Sequence, residues 1–89
     1  MSTPSPIAET ARLEAATETL AEYIGYLHSE IDSEQEKAAP NSERITALER
    51  ELGIVLGERR TLTPSHRDII NRALYIYAPV LKRMHEVAP

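Results

Sequence analysis

Leu13, Leu20 and Leu27 recur every seven residues in the first third of the chain, and Thr17, Ile24 and Ile31 each follow four residues later. This d-a-d-a pattern runs over almost three heptads and predicts one long helix with a narrow apolar seam. Such a seam needs another helix against it, because an isolated amphipathic helix is only marginally stable in water. Ile45, Leu48, Leu52 and Val55, spaced three, four and three, predict a second helix whose seam can face the first. Ile70, Ala73, Tyr77, Val80, Met84 and Val87 form the apolar face of a third, widened by Ile69, Leu74, Ile76 and Leu81.

Capping chemistry sets the expected boundaries. Ser5 as N-cap with Pro6 at the first helical position starts helix one, which the pattern carries to about residue 38. Ala39-Pro40-Asn41-Ser42 is the break, since Pro40 disfavours helical geometry before it and Asn41 or Ser42 can cap the next helix. Helix two is expected over 42–56, with Gly57 as a left-handed C-terminal cap. Helix three is expected over 64–87, with Thr63 as N-cap and Pro64 first in the helix. Pro79 removes a backbone donor and clashes with the preceding turn, so a kink or restart is expected near Tyr77 to Pro79. The reading is an all-α fold of three helices, a helical hairpin plus a Pro-kinked or split third helix. Residues 1–5 form a disordered N-terminus and 6–89 one helical domain.

A chain of 89 residues buries only about 60–65% of its unfolded surface, a thin margin that self-association widens. A helix over 6–38 also spans about 50 Å, whereas a compact globule of this size has a radius of gyration of about 12 Å. The expectation is therefore a dimeric helical bundle with coiled-coil-like packing, its seam formed by Leu13, Leu20, Ile24, Leu27 and Ile31, or else a bend near Gly25.

Charge divides the chain in two. Residues 1–57 hold 4 basic and 11 acidic side chains, a net −7, while residues 58–89 hold 6 basic and 3 acidic, a net +3. Glu14, Glu18 and Glu22 recur at i, i+4, as do Glu30 and Glu34. Like charges at that spacing oppose a helix by about 0.2–0.5 kcal/mol per pair, so the stripe is expected to face something basic. The partner is either Arg59, Arg60, Arg67 or Arg72 of the same fold or of a dimer mate, or another protein. Glu14, Glu18, Glu22 and Tyr26 are thus the candidate partner-binding residues. An inhibitor that docks this face on a nucleic-acid-binding protein is one concrete form. The alternative is a nucleic-acid-binding regulator that uses Arg59, Arg60, Arg67 and Arg72.

Enzyme chemistry is the least favoured class. The sequence has no cysteine and no Gly-rich phosphate loop, and His28, His66 and His85 lack the spacing of a helical metal site, so neither metal nor cofactor is expected. Arg60 and His66, with five residues between them, superficially resemble the Arg-x(4–6)-His spacing of HEPN-type ribonucleases, in which such a pair acts on the RNA backbone. Here Thr63-Pro64 lies between the two with the signature of a helix start. The tyrosines come in pairs, Tyr23 with Tyr26 and Tyr75 with Tyr77, each expected to place one ring in an apolar seam and the other, Tyr26 or Tyr75, at its edge. Residues 1–5 lack the basic and apolar regions of a signal peptide, and no apolar run approaches a membrane span, so a cytoplasmic location and no membrane partner are expected. The functional reading is a non-catalytic interaction or regulatory module, homodimeric, acting through helical surfaces.

Overall fold

The computed structural model describes residues 6–87, with side-chain placement to residue 86. Within them all regular secondary structure is helical, without a strand: α1 (Pro6–Gln35), α2 (Ser42–Thr61), α3 (Arg67–Arg72), a π-helical turn (Ala73–Tyr77) and α4 (Ala78–Val87). The last three form one nearly continuous third limb. Ser5, Val87's side chain and the expected disordered N-terminus lie outside the described residues.

α1 is the spine on which both other limbs pack. Tyr23 reaches Glu51, and Glu30 reaches Arg44, so α2 runs antiparallel to α1. Asn71 meets Arg12 and Tyr77 stacks on Tyr23, so the third limb returns parallel to α1. The long dimension is 55 Å and the radius of gyration 15.4 Å. Helix one therefore does not overshoot a compact body. It is uninterrupted through Gly25, and the whole molecule is elongated along it.

The seam is used inside the chain. Leu20, Ile24, Leu27 and Ile31 are buried with Leu48, Leu52 and Val55 of α2 and Ile69, Ile70, Ala73, Tyr77 and Leu81 of the third limb, and Leu13 packs against this core while partly exposed. These side chains, expected to form a dimer seam, are the monomer's own core, because two limbs of the same chain already cover them. Thr17 is turned out, its hydroxyl bonded to the Leu13 carbonyl.

Three boundaries differ from the periodicity. α1 ends at Gln35, three residues early, where Glu34 turns inward to accept the backbone N–H of Asn41. Asn41 then caps α2, its Oδ1 accepting from the N–H groups of Glu43 and Arg44 at 3.1 Å each. α2 passes through Gly57 to Thr61, and no described residue has positive φ, so Gly57 is not a left-handed cap. Thr63 and Pro64 do not open the third helix. The Thr63 hydroxyl instead engages Ser65 Oγ at 2.8 Å and His66 Nδ1 at 2.9 Å, a turn that delays the helix to Arg67.

The interruption expected at Pro79 takes the form of the π turn just before it. The Ala78 N–H donates to the Ala73 carbonyl, five residues back rather than four. A regular helix would leave the Tyr75 carbonyl without the donor that Pro79 lacks and press the ring against it. The widened turn relieves that crowding.

Candidate functional site

The interior holds a polar cluster that joins all three limbs. Tyr23 Oη of α1 donates to Glu51 Oε1 of α2 at 2.5 Å. Its ring stacks on Tyr77 with centroids 4.4 Å apart and planes 9° from parallel. Tyr77 Oη donates to Glu58 Oε1 at 2.8 Å, and Arg72 closes the chain with Nε and Nη2 on Glu58 Oε2 at 2.7 and 2.6 Å. Burial, then the hydrogen bond to Glu58, pushes the Tyr77 hydroxyl up to about 12. Burial and the Glu51 carboxylate likewise hold the Tyr23 hydroxyl well above its usual range.

This arrangement suits structure rather than turnover. Both phenols are spent on carboxylates, and no buried side-chain polar atom among the described residues lacks a partner. Glu58 is 7% exposed, and a buried carboxylate is tolerated only when paired and hydrogen-bonded. Glu51 and Glu58 escaped the sequence reading, which ended helix two before Glu58. Their seven-residue separation, in phase with Leu48, Leu52 and Val55, is the signal that places both on the inner face.

A second buried carboxylate, Glu34, locks the hairpin. Lys37 Nζ lies 3.1 Å and Arg44 Nε 3.4 Å from its Oε1. The Lys37 hydrogen bond, followed by that from Asn41, holds its carboxyl below the usual range. Arg44 also reaches Glu30 at 3.3 Å. The acidic pair Glu30 and Glu34 thus finds its basic partner within the fold, and that partner is Arg44 rather than the C-terminal arginines.

The remaining candidates separate. Glu14, Glu18 and Glu22 are exposed on one face of α1, and none forms an ion pair among the described residues. Glu22 borders a hollow between α1 and α4 lined by Tyr26, Ser29, Leu81, Met84 and His85. Tyr26 is half-buried there and Tyr75 is 65% exposed, while Tyr23 and Tyr77 are buried, as the paired spacing predicts. Among the arginines, Arg59, Arg60 and Arg67 are exposed and without ion pairs among the described residues, whereas Arg72 is committed to Glu58 and leaves the nucleic-acid set. Another guanidinium, Arg12, bonds the neutral acceptors Asn71 Oδ1 at 2.8 Å and Tyr75 Oη at 3.3 Å.

Arg60 and His66 are not brought together. The Arg60 guanidinium folds back toward Gly57, and His66 Nδ1 accepts the Thr63 N–H. No group of acidic or histidine side chains among the described residues is placed to hold a metal ion. No helix among the described residues is long and apolar enough to cross a membrane.

No known protein family, curated protein or solved structure matches this chain. The surface itself carries the functional reading.

Proposed function

We propose that the chain is a non-catalytic interaction module whose α1 outer face binds a basic, amphipathic segment of a partner protein. The observation that carries this is the row Glu14, Glu18 and Glu22, exposed and without ion pairs among the described residues, running into a hollow whose wall is Tyr26, Leu81 and Met84. Three like charges in a row oppose α1, and no cation among the described residues pairs with them. A partner helix with lysines or arginines on one edge and aliphatic anchors on the next satisfies both halves of the surface. Nucleic-acid-binding proteins present such basic helices, so a regulator that competes with phosphates for one is the concrete form of the proposal.

The test is a titration of a fluorescent, Leu-anchored Lys/Arg-rich helical peptide with the protein across a salt series. Binding that weakens with salt and is abolished both by Glu14→Lys/Glu18→Lys/Glu22→Lys and by Met84→Asp is expected. Unchanged binding in the triple variant would sink the reading. The exposed Arg59, Arg60 and Arg67 support nucleic-acid binding as the second reading, and a labelled oligonucleotide in the same titration addresses it. That reading requires steep salt dependence and loss on changing those three arginines to glutamate.

A further inference from the structure

We infer that the outer face of α2 is a two-fold contact with a second copy of this chain, the two α2 helices lying antiparallel. The inner arc of α2 is Leu48, Glu51, Leu52, Val55 and Glu58. The opposite face carries Glu49, Arg50, Gly53, Gly57 and Arg60. Two aliphatic side chains flank it uncovered, Ile54 at 57% and Leu56 at 42% exposure.

The charges on this face, Glu49 and Arg60 on one edge and Arg50 on the other, include a pair that complements itself when two copies lie antiparallel. Glu49 and Arg60 lie eleven residues apart, about three helical turns, and so occupy the same edge, with Leu56 between them. A two-fold axis perpendicular to antiparallel helices brings each edge against its own copy. With the axis level with position 55, midway between the glycines, Glu49 stands opposite the partner subunit's Arg60, and the pair forms twice. Within the chain, neither Glu49 nor Arg60 forms an ion pair among the described residues. The other edge brings Ile54 against its own copy close to the axis.

The glycines agree with this geometry and have no explanation within the monomer. Both sit inside α2 with negative φ. A Cβ at Gly53 would meet nothing within 4 Å, and one at Gly57 only the tip of Arg60 at 3.9 Å. An interior helical glycine costs about 1 kcal/mol relative to alanine. Between Ile54 and Leu56 the two glycines instead make a flat strip on which a second backbone can approach closely. This contact differs from the heptad seam, which the monomer's own core consumes.

The experiment is sedimentation equilibrium of the full chain from micromolar to near-millimolar concentration. A monomer–dimer equilibrium is expected for the native protein. Glu49→Arg and Arg60→Glu should each weaken it by at least about tenfold, with helicity by circular dichroism unchanged. Mixing the two variants should restore a one-to-one dimer, since both charged contacts of the mixed dimer then set an arginine of one subunit against a glutamate of the other. Gly53→Ala should raise the monomer's thermal midpoint while weakening the dimer, opposite signs that a fold defect cannot produce. A native protein that stays monomeric throughout, or a dimer indifferent to Glu49→Arg, would overturn the inference.

Discussion

In the α1–α2 hairpin, Leu20, Leu27 and Val55 are almost free of solvent and the turn is closed by Asn41 and Glu34. The third limb lies on the same spine, yet its direct ties to α2 run through the Glu58 carboxylate, which takes Arg72 and Tyr77. The first pairing rests mainly on apolar, nondirectional contacts spread over many side chains, with Tyr23–Glu51 and Arg44–Glu30 added to them. The second is directional and concentrated on one buried acid, so it holds well only while every member is present. One small chain thus has one seam that tolerates adjustment and another that responds sharply to a single group.

That contrast can be broken deliberately. Leu20→Ala removes a side chain on which both pairings rest and should cost about 3 kcal/mol in a denaturant titration, lowering hydrogen-exchange protection in all limbs. Glu58→Ala should cost about 2 kcal/mol, less than a fully buried pair because the half-exposed Arg72 can rehydrate. Its exchange signature is the sharper discriminator. Amides of residues 69–81 should exchange faster while those of 20–31 keep their protection, and equal loss in both would mean that the limbs unfold as one unit.

Alkaline pH probes the same seam without mutation. The unfolded chain ionises its tyrosines near pH 10, while Tyr77 in the fold is pushed up to about 12 and Tyr23 is raised further. Above pH 10 the unfolded state holds fewer protons than the native one, so stability falls with rising pH. The contribution is complete below pH 10 and disappears as pH climbs through the native values. Tyr77→Phe should flatten that decline. The smallest effect is expected from Asn41→Ala, about 1 kcal/mol, confined to the α2 N-terminus and read from the thermal midpoint.

The hairpin was the legible part. Heptad spacing from Leu13 to Ile31 and three-four spacing from Ile45 to Val55 predict two helices and their facing stripes. What faces the seam was not legible, because a heptad pattern does not distinguish a second copy from the same chain's own limbs. Gly57 misled through its commonest role, and ending the helix there hid Glu58 from the inner stripe. Thr63-Pro64 carries a capping signature that the Thr63–Ser65–His66 turn overrides with side-chain bonds. The acidic face was visible in the sequence, but the hollow beside Glu22 was not. Tyr26, Leu81 and Met84 meet there only through the return of the third limb.

The π turn has a consequence for chain length. Its defining bond joins Ala73 to Ala78 across five residues, and an ordinary helical bond would join the same two atoms across four. The third limb therefore carries one residue more than its path requires. Ile76, 56% exposed, is the one that can be spared. Removing it should turn the π turn into plain α-helix with Tyr77 still on Glu58 and circular-dichroism helicity intact. Removing a residue from the regular interior of α1 would instead rotate every later side chain by about 100° and scatter the core.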